Sequence, residues 1–398
     1  MSPVLIFDPA CPAPYSRRTL DEAALGGTEA TVVRVAEALD ALVMQHNRAE
    51  VEGRYRPAAR AAAAGDLPGH EPAEKLLTPR DESRASPAHH VEHLVVLRDP
   101  RAIQPLCERF PGARPYLWLH DLVRQGSKRG RRLAAAAGVL ARRGVTIVCV
   151  SDFQRAQAEA VLAQAGVAGR IRAVTIYNPI DDGLVPNGAP VDADKLVFFS
   201  SPNKGLAFAL DAFRAIRREL PRMRFCIGNP GYKSLLMAGV QSAGATVLRR
   251  SAAGVGIEWL GPLPHARILA EVRTALCVFY PNFVLPETFG LVLAEANAVG
   301  TPVLTHDCGA AAEVLRDPRQ LLPVAPAARR YERAARFVPG ALRPALAAWA
   351  ARRGVFEPYV DRIRAWRGGE RPLVAPDPRF RLTAVARRWR ALLDGTLA

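Results

Sequence analysis

The stretch PETFGLVLAEANAVGTPV, residues 286–303, combines a helical pattern with the start of a strand. The apolar run LCVFY at residues 276–280 precedes it, and the run PVLT at residues 302–305 closes it. Short apolar runs that alternate with helical patterns are typical of parallel sheets. The stretch therefore predicts an α/β fold with a parallel sheet in this half of the chain.

The predicted helix in this stretch, from Phe289 to Val299, carries a single carboxylate. Its residues are apolar or small on almost every side, which indicates a buried helix, and the residues three and four positions from Glu295 cannot pair with it. A buried carboxylate needs a hydrogen-bond partner. We expect either a bound vicinal diol, such as ribose, or an arginine from elsewhere in the chain. Glu287 precedes the helix, and Gly290 lets a ligand approach the first-turn N–H groups.

Similar apolar runs recur on the N-terminal side of this stretch. They lie at residues 4–7, 94–97, 116–119, 146–150, 196–199, 224–227 and 257–260. Two consecutive doubly wound, Rossmann-like domains account for them. The segment DDGLVPNGAP at 181–190 breaks both helix and strand, so we place a hinge there. We predict domains at 1–185 and 191–375, followed by a helical segment at 376–398.

The composition excludes several classes of protein. With 398 residues, 49% of them hydrophobic, the chain is long enough for two globular domains. The six cysteines lack metal-ligand spacing, and we expect them to be reduced. Neither a signal peptide nor a membrane-spanning run is predicted. Residues 57–90, rich in Ala, Pro, Gly and charge, are predicted to form an insertion without an assigned role.

The positive charge raises nucleic acid or an anionic membrane as partners. Lys+Arg 54 against Asp+Glu 38 gives a formal charge of +16, but aromatic residues make up 7% and are not interleaved with the arginines, which weakens the nucleic-acid interpretation. The stretch KRGRRLAAAAGVLARRG at 128–144 is basic at both ends. It forms either an ordinary helix with a solvated arginine face or a helix lying on an anionic membrane surface.

Polar residues at the ends of predicted strands are the candidates for ligand binding. Lys204 lies between the strand run at 196–199 and a predicted helix. A cation at a helix N-terminus opposes the helix dipole, and a bound phosphate reverses that cost. The other polar or glycine residues at such positions are Gly26, Gly27, His46, Asn47, His120, Asp121, Ser151, Asp152, Asn203, Asn229, Glu287, His306 and Asp307.

Three further motifs predict no cofactor or metal site. The sequence DAD at 192–194 precedes a strand, so it lies at the wrong edge of the sheet to bind a metal beside a ligand. The sequence GNPGYKS at 228–234 lacks the glycine spacing of a phosphate-binding P-loop. No GxGxxG motif follows the first strand, which argues against a nicotinamide or flavin enzyme.

These motifs resemble retaining, nucleotide-sugar-dependent glycosyltransferases of family 4, the group 1 type. The specific core of the resemblance is the pair Glu287 and Glu295, separated by seven residues. The supporting motifs are GGTE at 26–29, LHD at 119–121, VSDF at 150–153, YNPID at 177–181, NKG at 203–205 and WLGPLP at 259–264. The resemblance implies the GT-B fold, in which two Rossmann-like domains face a cleft and the C-terminal helix crosses back to the first domain.

The resemblance also implies residue roles. His120, Glu287 and Lys204 are the implied catalytic residues, and Glu295 is implied to bind the ribose. Lys204 and the N–H groups near Phe289 and Gly290 would hold the diphosphate. The implied donor-binding set is Gly27, Asn203, Lys204, Asn229, Glu287, Thr288, Phe289, Gly290, Leu291 and Glu295.

The implied reaction needs no metal and no cofactor. The acceptor hydroxyl attacks from the face that the nucleotide leaves, and a donor phosphate oxygen accepts its proton. The implied donor is a UDP- or GDP-linked sugar, and the acceptor is a glycan or a lipid-linked molecule in polysaccharide or glycolipid synthesis. The implied location is the cytoplasm, with peripheral contact at the inner face of the membrane. The sequence does not fix the base, the sugar, the acceptor, the linkage or the oligomeric state.

The chain departs from the family pattern in three places. The arginine that usually precedes the lysine is missing from SSPNK at 200–204, and the usual diglycine is reduced to Gly309. The proline-rich loop from Pro9 to Leu25 leaves the acceptor side undetermined. Three alternatives stay open: a non-catalytic sugar-nucleotide-binding relative, a sugar-nucleotide epimerase of the same fold, and a basic nucleic-acid-binding protein.

Overall fold

The chain folds into two compact units. The computed structural model describes residues 4–48, 53–57, 91–229, 256–339 and 342–397, so most of the predicted insertion at 57–90 and of the GNPGYKS segment lies outside the described residues. Unit 1 comprises Met1–Arg18, Gly27–Asp181 and Pro378–Ala398, and unit 2 comprises Thr19–Gly26 and Asp182–Asp377. The prediction had placed Thr19–Gly26 in the first domain, whereas the structure groups this segment with unit 2.

Unit 1 is built on a seven-stranded, fully parallel sheet. Its strands are β1 (Val4–Asp8), β2 (Leu42–Gln45), β3 (Tyr55–Pro57), β4 (His93–Leu97), β5 (Arg114–Trp118), β6 (Thr146–Cys149) and β7 (Ala173–Thr175). They lie in the order β3-β2-β1-β4-β5-β6-β7. The order reverses at β1, so the carboxyl ends of β1 and β4 border the switch point where such sheets bind ligands.

The helices that flank that sheet are α2 (Gly27–Ala38), α3 (Ile103–Arg109), α4 (Lys128–Arg142) and α5 (Asp152–Gln164). The short helix α1 (Arg17–Glu22) lies mostly in the Thr19–Gly26 segment that is grouped with unit 2. In α4, Leu133, Ala137 and Leu140 are buried along one face, while Arg131 and Arg142 are exposed. The basic stretch at 128–144 therefore contains an ordinary helix with a solvated arginine face, the first of its two interpretations.

The C-terminal segment returns to unit 1. Ile180 N donates to Phe380 O at 2.8 Å, and Leu382 N donates to Ile180 O at 3.0 Å. Helix α13 (Leu382–Leu393) then packs against α2, and its Trp389 ring meets the Trp118 ring edge-on at 4.9 Å between centroids. Both tryptophans are fully buried. This packing confirms the predicted return of the final helix to the first domain.

Unit 2 is built on a six-stranded parallel sheet. Its strands are β8 (Asp192–Phe198), β9 (Arg224–Asn229), β10 (Ile257–Pro262), β11 (Ala275–Phe279), β12 (Val303–His306) and β13 (Leu321–Leu322), in the order β10-β9-β8-β11-β12-β13. Its helices are α6 (Leu206–Glu219), α7 (His265–Arg273), α8 (Leu291–Ala298), α9 (Ala311–Val314), α10 (Pro326–Ala335), α11 (Arg343–Arg352) and α12 (Glu357–Ala365). The order reverses at β8, between the carboxyl ends of β8 and β11.

Two doubly wound parallel sheets confirm the predicted α/β class. All nine predicted runs form strands, whereas the short strands β2, β3, β7 and β13 were not predicted. Strand β2 follows α2 after only a short turn, so its apolar residues extend the helical pattern. In the described part of the chain, no helix is long and apolar enough to cross a membrane. Five of the six cysteines are buried, and Cys308 is half-buried.

Candidate active site

The predicted site residues of unit 2 cluster at the switch point of its sheet. The turn Pro202–Gly205 follows β8 and leads into α6, and the segment from Tyr280 to Gly290 joins β11 to α8. Gly205, with φ 91°, and Gly290, with φ 92°, adopt the left-handed conformation immediately before their helices. Both connections leave the carboxyl edge of neighbouring strands, which is why residues distant in sequence meet there.

Lys204 and Glu287 form an ion pair at this edge. Lys204 Nζ lies 2.8 Å from Glu287 Oε2, and the Tyr280 hydroxyl donates to Glu287 Oε1. Glu287 and Tyr280 are buried, whereas the Lys204 side chain is partly exposed. One carboxylate thus has each of its oxygens held by a different donor. The structure brings together two of the three predicted catalytic residues and adds Tyr280, which the sequence analysis missed.

The backbone of Glu287 is clamped by the loop after β12. Glu287 N donates to Cys308 O at 3.2 Å, and Ala310 N donates to Glu287 O at 2.9 Å. Gly309 lies between these contacts with φ 80°, and a Cβ atom there would lie 2.2 Å from Glu287 O. No side chain fits at that distance, so the two hydrogen bonds to the Glu287 backbone require a glycine at position 309. Gly309 is also the glycine that remains of the diglycine usual in the family.

The start of α8 forms the second part of this edge. Phe289 is fully buried, Thr288 is half-buried, and Leu291 is the first helical residue. A Cβ atom on Gly290 would lie 2.9 Å from Leu293 Cδ1 and 3.4 Å from Glu287 Cγ. The N–H groups of a first helical turn lack helical acceptors and favour an anion. These residues place such N–H groups beside the Lys204–Glu287 pair.

Glu295 has a protein neighbour that the sequence analysis did not foresee. It is buried on α8, and its Oε2 lies 3.0 Å from Nε2 of His265, the first residue of α7. Of the two partners expected for this carboxylate, a diol and an arginine, neither is this histidine. A pairing between two helices that are separated by strand β11 leaves no local pattern; the only signal was a histidine directly after the WLGPLP motif.

The remaining predicted residues of unit 2 are Asn203 and Asn229, and the DAD motif also lies in this unit. Asn203 is exposed, and its Oδ1 accepts from Ser201 Oγ at 2.6 Å. Asn229 is the last residue of β9. In the DAD motif, Asp192 pairs with Arg224, and Asp194 pairs with Arg367. Across the described residues, no group of three or more His, Cys, Asp or Glu side chains is placed to hold a metal.

Gly27 and His120 belong to unit 1 rather than unit 2. Gly27 begins α2, and its carbonyl accepts from Thr31 Oγ1 at 2.8 Å. His120 follows β5, is buried, and packs against Trp118 with ring centroids 4.6 Å apart and the rings tilted by 51°. Burial and, second, the positive charge of Arg98 hold the pKa of His120 well below its usual value. The imidazole is therefore neutral near pH 7, when one ring nitrogen donates and the other accepts a hydrogen bond.

Acidic and basic side chains surround the switch point of unit 1. Asp8, the last residue of β1, accepts from the Tyr15 hydroxyl at 2.9 Å. Arg98, directly after β4, has φ 60°, and its guanidinium lies 3.5 Å from Glu29 and 3.9 Å from Asp121. A non-glycine residue in the left-handed region has a strained backbone conformation, which persists only where the surrounding structure imposes it. Of this cluster, Asp121 was predicted as a candidate for ligand binding, and Glu29 lies in the GGTE motif.

The comparison with protein families gives a match in unit 2. The family model for "Glycosyl transferases group 1" matches residues 195–335. That range begins in β8 and ends at the last residue of α10, and it contains Lys204, Glu287 and Glu295. The match therefore covers the whole of the site described for this unit.

Curated relatives point the same way. The chain is 34% identical over 152 residues to a phosphatidyl-myo-inositol mannosyltransferase of Mycobacterium leprae, covering 33% of this chain and 37% of that protein. It is 30% identical over 190 residues to the protein of that name from Mycobacterium tuberculosis, covering 45% of each. The chain thus spans less than half the length of the curated relatives that it matches.

Solved structures match over nearly the whole chain. The Anabaena HepE structure in complex with UDP-glucose aligns with a TM-score of 0.61 at 16% identity, covering 98% of this chain and 99% of that one. A sucrose-phosphate synthase from Thermosynechococcus elongatus aligns with a TM-score of 0.63 at 17% identity, covering 98% of each chain. Residues 195–335 therefore match the family model for glycosyl transferases group 1, and the chain has the GT-B fold that its sequence motifs predicted.

Proposed function

We propose that this protein transfers a sugar from a nucleoside-diphosphate sugar to an acceptor hydroxyl, with retention of the anomeric configuration and without a metal or cofactor. The observation that carries the proposal is the Lys204–Glu287 pair at the switch point of unit 2, beside the first turn of α8. The group 1 family match over the same residues supports it.

The diphosphate binds at Lys204 and the N–H groups that follow Gly290. Departure of the sugar leaves negative charge on the diphosphate, and an ammonium group together with a helix N-terminus stabilises that charge as it develops. Before the donor binds, Glu287 neutralises Lys204 at 2.8 Å. When the donor binds, its phosphate also contacts the Lys204 ammonium group. Lys204 then moves from the Glu287 carboxylate toward the phosphate without crossing bulk solvent.

Glu287 and Glu295 position the donor. The Glu287 carboxylate accepts hydrogen bonds from sugar hydroxyls, and Tyr280 fixes its orientation. Glu295 accepts hydrogen bonds from the ribose diol, and His265, 3.0 Å from Glu295 Oε2, orients that carboxylate. Neither carboxylate acts as a second base, because an oxygen of the leaving diphosphate accepts the proton of the attacking hydroxyl. Retention follows when the hydroxyl attacks from the face that the diphosphate leaves.

Unit 1 supplies the acceptor side. His120, kept neutral by burial and Arg98, contributes a hydrogen bond near the reacting sugar, while Gly27 lets the diphosphate or the acceptor approach the backbone of α2. We propose a UDP- or GDP-linked donor and a glycan or lipid-linked acceptor, used in polysaccharide or glycolipid synthesis at the cytoplasmic side of a membrane. Support comes from relatives described as mannosyltransferases of a phosphatidylinositol and from the UDP-glucose complex of HepE.

Calorimetric titration of UDP, GDP and ADP tests the proposal. We expect one nucleotide to bind, and we expect Lys204→Gln to lose about 1.5 to 3 kcal/mol of that affinity, which is the contribution of a hydrogen bond to a charged group. Arg218→Gln is the matched control, because it removes one positive charge from the exposed last turn of α6. Equal losses in the two variants would show that Lys204 acts only through net charge.

Turnover distinguishes the remaining alternatives. Once the nucleotide is identified, the protein is incubated with sugar conjugates of that nucleotide. NMR of the released or transferred sugar then gives the anomeric configuration of the product. An inverted product contradicts retention. Binding without turnover favours a non-catalytic relative, and conversion of the donor without an acceptor favours an epimerase. If none of the three nucleotides binds, the function proposed here is wrong, and a salt-dependent titration with nucleic acid becomes the next measurement.

A further inference from the structure

Large exposed apolar side chains concentrate in one part of unit 2. Among the described residues, six large apolar side chains are exposed, and three of them lie on or next to α10 and α11: Phe337 at 84%, Leu342 at 59% and Trp349 at 47%. Single exposed apolar side chains are normal, but several on or next to two helices that pack together indicate an interaction surface. The role proposed for Lys204 and Glu287 does not use these residues.

The same segment is strongly basic. Residues 326–353 contain seven arginines and one glutamate, a formal charge of +6. Arg329, Arg333 and Arg336 recur at helical spacing and are exposed, as is Phe337, while Tyr331 on α10 is buried. Residues four and seven apart lie on one side of a helix. Helix α10 therefore presents its arginines, with Phe337 directly after it, on the side away from the core.

Helix α11 repeats this arrangement. Ala347 and Ala350 are buried, whereas Leu342, Trp349 and Arg352 are exposed at a spacing that places them on one face. The Arg353 guanidinium lies 5.2 Å from the centroid of the Trp349 ring, a cation–π contact at the same end of the helix. We call the exposed side chains of residues 329–337 and 342–353 the arginine–tryptophan surface.

We propose that the arginine–tryptophan surface docks this protein on an anionic lipid bilayer. Tryptophan and phenylalanine settle at the boundary between headgroups and acyl chains, and long arginine side chains keep their charge among the headgroups. Each arginine near an anionic surface strengthens binding about fivefold. A nucleic acid would use the arginines and stack on the aromatic rings, yet it would leave Leu342 uncovered. A bilayer accommodates all three apolar side chains.

Helix α4 provides the internal comparison. Its exposed face carries Arg131 and Arg142, but every large apolar residue of α4 that is buried, such as Leu133 and Leu140, faces the core of unit 1. None of the large apolar side chains exposed in the described chain lies on α4. Membrane contact was one of two interpretations of residues 128–144, and α10 and α11 meet its requirements better.

The test is flotation of the full-length protein with vesicles. One set is phosphatidylcholine alone and the other contains phosphatidylglycerol. We expect binding to the anionic vesicles that weakens with salt. The double variant Phe337→Ser/Leu342→Ser and the double variant Arg329→Glu/Arg333→Glu should each lose more than tenfold in affinity. Matched controls are Leu373→Ser, which removes an exposed leucine elsewhere in unit 2, and Arg142→Glu on α4; both should bind as the wild type.

Quenching of tryptophan fluorescence by brominated lipid gives a second readout. Trp118, Trp366 and Trp389 are buried and Trp259 is half-buried, so quenching should come mainly from the exposed Trp349 and fall strongly in Trp349→Phe. The proposal is wrong if the protein does not bind anionic vesicles at low salt, if it binds neutral vesicles equally well, or if both double variants bind as the wild type. It is also wrong if single-stranded RNA displaces the protein from the vesicles and brominated lipid does not quench its fluorescence. Because the assay needs neither donor nor turnover, its outcome is independent of the nucleotide titration.

Discussion

At the scale of single residues, Tyr280 sets the orientation of the Glu287 carboxylate by donating to one of its oxygens while Lys204 binds the other. We predict that Tyr280→Phe weakens binding of the intact nucleotide sugar about five- to thirtyfold, since a buried acceptor loses a hydrogen bond worth about 1 to 2 kcal/mol. Binding of the nucleoside diphosphate alone, which has no sugar, should change little. Titration of both ligands measures the difference.

Tyr359→Phe is the control for this prediction. Its hydroxyl is also buried in unit 2, but it lies 2.8 Å from His306 Nε2 rather than beside Glu287. If both variants lose donor affinity equally, or if Tyr280→Phe weakens the diphosphate as much as the nucleotide sugar, Tyr280 does not act through Glu287.

His306 makes the stability of unit 2 depend on pH. Burial lowers the pKa of His306 from 6.5 to about 4. Between these values the unfolded chain binds a proton that the folded unit does not, so stability falls as the pH drops from 6.5 toward 4. The loss amounts to about 3 kcal/mol once the lower pKa is passed.

The variant His306→Gln isolates this effect, because the amide can still donate to Leu322 O and accept from Tyr359. We predict that the slope of the unfolding free energy against pH in this window is smaller in the variant by about 1.4 kcal/mol per pH unit, the value for one proton. Urea unfolding at several pH values measures the slope. Identical slopes in the two proteins would rule out His306 as the source.

At the scale of structural elements, the loop after β12 holds the loop before α8 through Gly309. We predict that Gly309→Ala destabilises unit 2 by about 1 to 3 kcal/mol and abolishes donor binding, because the new Cβ atom would collide with the Glu287 backbone and φ is positive. Chemical unfolding and nucleotide-sugar titration measure the two effects.

Gly261→Ala separates backbone strain from collision. Gly261 also has a positive φ, 72°, but nothing lies within 4 Å of the added Cβ atom. We expect this variant to lose some stability and to keep its affinity for the donor. A Gly309→Ala protein that binds the donor as well as Gly261→Ala does would contradict the clamp.

Helices and strands with a clear hydrophobic pattern were predictable from sequence, whereas side-chain contacts between different elements were not. The strands with four or more consecutive apolar residues and the buried helix α8 followed from pattern alone. Lys204 and Glu287 were each predicted because they follow strand runs, yet their pairing depends on the order β8-β11 in the sheet. Tyr280 carried no local signal, and His265 had only its position after the WLGPLP motif, because an aromatic or histidine beside a strand is more often a packing residue.

At the scale of the whole molecule, unit 1 is assembled from three separate segments. Its last segment, Pro378–Ala398, supplies α13 and buries Trp389 against Trp118. We predict that a chain ending at Asp377 loses hydrogen-exchange protection throughout unit 1, because Trp118 and α2 lose the helix that covers them, while unit 2 keeps its protection. Exchange measured by mass spectrometry checks this, and unchanged protection in unit 1 would contradict it.

The same segment order has a consequence for synthesis on the ribosome. Unit 1 is begun first, but the helix that covers its tryptophan is translated after every residue of unit 2. Unit 2 can therefore reach its native state while the first-made sheet still lacks its final cover. The half that starts the chain is the half that finishes folding last, and a nascent chain stalled before α13 offers chaperones an exposed Trp118 face.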